Sequence, residues 1–247
     1  MINILKTKVN SFYDGLDNNN KNIFQLGAFF SLLSLLVIIV WVIISHLEPK
    51  CGASYNKLTS LQLYKEKKNG AIFDIVENHS ILNKLPHNDY TFSFWIKIDK
   101  WYNSSEYGKW KHILHMGSIV DDENNLLDIK WNSLSNQNPG VWLMPETNKL
   151  RIVITNQNNQ LEYSDLKLDI KKWVNITFII KNRYLEIYKN GELVKTSTLK
   201  SIPAINRDIL YVNYNGGFTG YLRNIEIIPK GIEPRTVERL YELGNSQ

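Results

Sequence analysis

A single cysteine, Cys51, stands among 247 residues. No intrachain disulfide can form, so the fold must be held by its core, and metal sites built on cysteine pairs are excluded. Runs of basic charge are missing as well. The net charge is +5, yet no basic run exceeds the pairs Lys67-Lys68 and Lys171-Lys172. A nucleic-acid binder concentrates its charge on one face or helix, so no nucleic-acid partner is expected. The chain also has no G-x-S-x-G elbow, no glycine loop followed by Lys-Ser/Thr and no H-E-x-x-H. Serine-hydrolase, phosphate-loop and zinc-peptidase chemistry therefore have no foothold.

One stretch, 22–47, lacks charged residues altogether. As a helix, its apolar part 26–47 spans about 33 Å, enough for a hydrocarbon core of roughly 30 Å. Trp41 and His46 lie near its C-terminal end, where amphipathic rings favour the membrane interface. Glu48-Pro49-Lys50 follows in place of a small-x-small cleavage site, so an uncleaved anchor in a lipid bilayer is expected. Lys6, Lys8 and Lys21 on one side against Lys50, Lys57, Lys65 and Lys67 on the other leave the orientation open by charge. The N-x-S/T sequons at Asn78, Asn103 and Asn175 are candidate N-glycosylation sites and favour an exterior C-terminal domain. Cys51, four residues beyond the anchor, is a candidate for an intermolecular disulfide outside or a lipid inside.

The expected organisation is a tail at 1–21, a transmembrane helix at 22–47, a stalk at 48–70 and one β domain at 71–247. From residue 71 onward short alternating runs are separated by turn residues. In 90–98 Phe92, Phe94, Ile96 and Ile98 share one face, opposite Thr91, Ser93, Trp95 and Lys97. In 173–181 Trp173, Ile176, Phe178 and Ile180 are read onto one face, with a shift near Val174. Asn190-Gly191 between two such runs is a type I′ hairpin signal, because both central residues need positive φ. Near the end, Pro234 opens a short helix over 235–243, with Val237, Leu240 and Tyr241 on one face and Gly244 as its C-cap.

The order of segments carries a resemblance. YTFSFWIKI (90–98), GKWKHILHMG (108–117), PGVWLMP (139–145) and LRIVIT (150–155) are followed by IKKWVNITFII (170–180), YLEIYKNGELVKT (184–196), GGFTGYLRNIEII (216–228) and PRTVERLYELG (234–244). The series resembles a laminin-G-like domain of the concanavalin-A-like lectin/glucanase superfamily, as found behind membrane anchors in large DNA viruses. The resemblance implies an all-β, two-sheet antiparallel jelly-roll sandwich with a short C-terminal helix. It also implies carbohydrate binding or adhesion by a single-pass protein of a virion or host-derived membrane. A structural role is the alternative, with the sandwich packed on neighbouring membrane, coat or capsid proteins.

Hydrolases of that superfamily carry E-x-D-x-x-E, whose alternation sets two carboxylates about 5 Å apart for nucleophile and acid. The motif is missing, and Glu162 and Asp165 have the wrong spacing. No enzyme is expected. No cofactor is expected either, with calcium at Asp121, Asp122, Glu123 and Asp128 as the one metal left open. The histidines have no metal-ligand spacing. His112 and His115, three apart, fall on opposite faces of an unbroken strand and are read as structural or surface residues. Trp95, Trp110 and Trp173 match packing positions of the family. Trp101, Tyr102, Tyr107 and Trp131 fall in loops or strand ends and are the candidate glycan contacts.

Overall fold

The computed structural model describes residues 10–47, 60–77, 80–86, 88–101, 107–119, 129–205 and 209–246. Cys51, Asn78, Tyr102, Asn103, Asp121, Asp122, Glu123 and Asp128 lie outside them.

The charge-free stretch forms one helix, α1 (Asn18–Leu47). Asp17 caps it: its side chain accepts the Asn20 N–H (2.8 Å) and its carbonyl accepts that of Lys21. Ser34 returns its hydroxyl to the Ser31 carbonyl, so it adds little polarity to the helix surface. The part Asn18–Val42 is long and apolar enough to cross a membrane, and its most apolar window is unburied in the fold.

Residues Leu58–Gln247 form a separate unit. Strands β1 (Leu61–Leu63), β2 (Lys68–Asn69), β4 (Asp89–Ile98), β9 (Trp173–Lys181), β10 (Tyr184–Lys189), β11 (Glu192–Thr198) and β13 (Gly220–Ile228) make one antiparallel sheet. Its order is β1-β13-β4-β9-β10-β11, with β2 also on β13. The second sheet has six strands, in the order β3 (Asp74–Val76), β12 (Leu210–Val212), β5 (Lys111–Gly117), β6 (Gln137–Leu143), β7 (Lys149–Thr155) and β8 (Leu161–Lys167). Side chains from the two inner faces form the main core, with Phe92 and Phe178 stacked at 5.4 Å. Its buried members among the described residues all lie at or beyond Leu61, within this unit.

Two readings of the strands change. The stretch read as stalk supplies β1 and β2, both paired with β13, and Leu61 is buried in the core. Three-residue and two-residue strands are too short to carry a period. In β9 the inward set is Val174, Ile176, Phe178 and Ile180, and the strand pairs with β4 with no register shift. Trp173 therefore faces out. Asn190 (φ 52°) and Gly191 (φ 82°) form the expected turn between β10 and β11.

The terminal helix, α2 (Pro234–Asn245), runs through Gly244 instead of ending before it. It lies on the outer face of the seven-stranded sheet, where Trp95 stacks on Tyr241 at 5.5 Å. The Arg223 guanidinium is held between Trp95 (4.9 Å) and Trp173 (4.7 Å) and donates to the Gly244 carbonyl. That is a cation at a helix C-terminus, where the dipole favours it. Gly244 is required by proximity: a Cβ there would stand 2.3 Å from Trp95 Nε1. Gly244→Ala is therefore expected to lower the stability of 58–247 by about 1–3 kcal/mol through overpacking. Helix propensity alone would raise it by about 1 kcal/mol. A chemical-denaturation series decides the sign.

Candidate functional site

The outer face of the six-stranded sheet carries a second cluster, built from Ile129, Leu134, Trp142, Val153, Tyr211 and Tyr214. Trp110 and Trp131 pack against it. Alternation explains the membership. On β7, Leu150, Ile152 and Ile154 enter the main core, which sends Arg151 and Val153 outward. Across the β7–β8 pair, Asp165 stands opposite Arg151 and Tyr163 opposite Val153.

Arg151 is the centre of this face. Its Nε and Nη2 donate to the two oxygens of Asp165 at 2.7 and 2.8 Å, a bidentate pair. The guanidinium lies 3.8 Å from the Tyr163 ring centre, 4.6 Å from Trp131 and 5.1 Å from Trp110. Three aromatic faces around one cation are mutually attractive, the more so where the cation is desolvated. Tyr163 is 53% exposed while Arg151 is 8% exposed, so the rings form the outer wall and the charge the floor.

A glutamine fixes the loop that brings Trp131 here. Gln137, fully buried, donates through Nε2 to the carbonyls of Trp131 and Leu134 and accepts the Trp142 indole N–H at 2.6 Å. Gly140 makes room for it, since a Cβ there would stand 2.2 Å from the Gln137 amide oxygen.

Beneath this layer His112 and His115 are bonded to each other at 2.7 Å. The opposite-face reading fails because β5 bulges between His112 and Leu114, adding one residue and returning both imidazoles to one face. Tyr214 N–H donates to His112 Nδ1 at 2.9 Å, so neutral His112 carries its proton on Nε2 and gives it to His115 Nδ1. His115 is then protonated on Nε2, which is buried and has no hydrogen-bond partner of normal geometry among the described residues. Burial holds His112 well below the ordinary imidazole range, helped by repulsion from His115. Burial likewise lowers His115 to about 4, with the Ser118 backbone pulling weakly the other way.

The sequence-based glycan candidates separate. Trp131 joins the aromatic wall. Trp101 instead packs against the main core and donates its indole N–H to the Met144 carbonyl at 2.8 Å. Tyr107 is 60% exposed. Trp110 belongs to the wall and not to the sandwich interior. Arg151 and Tyr163 were not singled out from sequence; the signal available was an outward cation and aromatic on neighbouring alternating strands. Asn175, the one sequon asparagine described, is 1% exposed and donates Nδ2 to Ser93 Oγ and the Phe94 carbonyl, leaving no room for a glycan in this fold. Of the β8 carboxylates, Asp165 is held by Arg151, and Glu162 accepts from Asn156 and the Lys200 backbone. Among the described residues no three His, Cys, Asp or Glu side chains gather as a metal site.

No curated protein matches the sequence. Solved structures do match in fold. They include a mutant of HCR/D (TM-score 0.55, 13% identity, covering 75% of this chain and 48% of that one). The binding domain of botulinum neurotoxin DC in complex with SialylT gives a TM-score of 0.53 at 16% identity, covering 76% of this chain and 47% of that one. The same domain in complex with rat synaptotagmin II gives 0.50 at 16%, again covering 76% and 47%. The chain thus spans about half the length of these neighbours. The family model described as concanavalin A-like lectin/glucanases superfamily, a laminin-G type, matches residues 73–237. With two antiparallel sheets, the expected strand order of motifs and a match over most of its length, the chain belongs to the concanavalin A-like lectin/glucanase superfamily.

Proposed function

We propose that this is a membrane-anchored, non-enzymatic binding protein whose sandwich holds a glycan, or a glycan-bearing or protein partner, outside a virion or host-derived membrane. The observation that carries the reading is the half-open aromatic wall of Trp110, Trp131 and Tyr163 around Arg151. Aromatic faces match the C–H faces of sugars, and a buried donor supplies orientation. Two structural neighbours are complexes, one with SialylT and one with rat synaptotagmin II, which is in keeping with either class of ligand. No carboxylate pair on β8 is free for glycoside hydrolysis, so a bound sugar is released intact.

Helix α1 supplies the anchor in this reading, and display of many copies on one surface would strengthen weak single-site binding. Alkaline carbonate is expected to leave the full chain in the membrane pellet; release into the supernatant would refute the anchor. For the binding function, residues 58–247 are applied to a glycan array and then incubated with a polysaccharide panel. Bound glycan with no release of reducing ends is the expected result. Reducing ends whose release depends on one Asp or Glu would show an enzyme. A folded domain that captures no glycan would turn the assignment to a protein partner.

A further inference from the structure

The aromatic recess has a donor left over. Arg151 spends Nε and Nη2 on Asp165, and Nη1 has no acceptor among the described residues. A guanidinium more than nine-tenths buried therefore offers two N–H groups to a ligand, inside a wall whose outermost ring, Tyr163, is half exposed.

Charge on the same face narrows the ligand. One pleat along from Arg151 and Asp165, Lys149 stands opposite Lys167, and both are exposed. On this part of β7 and β8 three cations face outward against one carboxylate, which Arg151 already occupies. The other carboxylate of β8, Glu162, is engaged with Asn156 and the Lys200 backbone, Glu146 lies beyond the strands in the exposed β6–β7 turn, and Asp169, just past β8, feels Lys167 but is itself paired with Lys189 at 3.0 Å. A neutral sugar would leave the two lysines without a role, whereas an anionic one meets a net positive rim and a directional donor.

We infer that the recess binds an acidic pyranose, a sugar residue bearing a carboxylate or a sulfate. The rings of Trp131 and Tyr163 take its C–H face. Arg151 Nη1 and the Lys149–Lys167 pair take its acid group. This rests on the glycan-binding reading above and specifies its site and ligand class.

The test uses residues 58–247 and matched glycan pairs: a polyuronate and its carboxyl-reduced form, a sulfated chain and its desulfated form, a sialylated oligosaccharide and its asialo form. The acidic member of at least one pair is expected to bind about tenfold more tightly or better, and the preference to shrink as salt rises. The double variant Lys149→Glu, Lys167→Glu lies on the exposed surface, so its thermal transition should stay in place while acidic-glycan affinity falls about tenfold or more. Tyr163→Ala should also weaken binding. Equal affinity for both members of every pair overturns the acidic assignment but leaves a lectin. Acidic preference untouched by all three substitutions overturns the location. Absence of any bound glycan removes both this inference and the reading beneath it.

Discussion

Lowering the pH from 7 to 4 is expected to cost the sandwich about 3 kcal/mol of stability through His115 alone. The unfolded imidazole titrates near 6.5, and burial lowers the folded one to about 4. Between those values the unfolded chain binds a proton that the folded chain refuses, so stability falls as pH drops through this window and is complete above it. His112, held lower still, steepens the fall. Geometry gives the same sign. The pair shares one proton in its hydrogen bond, and a second would set N–H against N–H. The surrounding rings are Trp142, Tyr211 and Tyr214, and among the described residues no carboxylate acts on either imidazole to receive the charge. Asp74, whose carboxyl is raised by burial but brought lower on balance by the combined bonds from Lys68 and Tyr64, loses its contribution only below the ordinary carboxylate range. Its effect thus falls in a more acidic window. Urea titrations of 58–247 at pH 7, 5.5 and 4.5 measure the slope. In His115→Phe, which keeps a ring against Tyr211, the slope should drop by about one proton; an unchanged slope would assign the acid sensitivity elsewhere.

Replacing Gln137 by Leu is expected to destabilise the domain by about 3 kcal/mol, as several groups lose their partner at once. The Trp142 indole N–H, in a side chain 1% exposed, has the Gln137 amide oxygen as its acceptor, the only one among the described residues. The carbonyls of Trp131 and Leu134 lose the amide nitrogen. The second consequence is functional: with the loop untied, Trp131 leaves Arg151, and glycan affinity should fall with stability. A double-mutant cycle with Trp142→Phe isolates the shared bond. Because Phe has no N–H to orphan, the double variant should cost less than the sum of the singles. Strict additivity would mean that the Gln137–Trp142 bond carries none of the effect.

Much of the architecture was legible in the chain. Strands of seven or more residues with a buried face carry their period in plain sight, as β4 does with Phe92, Phe94, Ile96 and Ile98. The hairpin at Asn190-Gly191 was legible because only a few residue types tolerate positive φ twice in a row. The short strands β1 and β2 were not, since two or three residues have no period and owe their pairing to β13. Gly244 looked like a helix stop because a glycine's local reason and its long-range reason leave the same letter. Only the indole of Trp95 tells them apart.

The site divides in the same way. From sequence came the charge-free length of α1, the sandwich, the lack of catalytic motifs and four loop aromatics, Trp101, Tyr102, Tyr107 and Trp131, of which Trp131 stands beside Arg151. These follow from composition and period, which act over a few neighbouring residues. The tertiary structure decided which aromatics share a face, that a bulge in β5 brings His112 and His115 together, and that Arg151 rather than a tryptophan stands at the centre. Cross-strand register sets those contacts. Arg151 and Asp165 are neighbours because β7 and β8 pair in one register, and a slip of one residue would send Arg151 opposite an inward position.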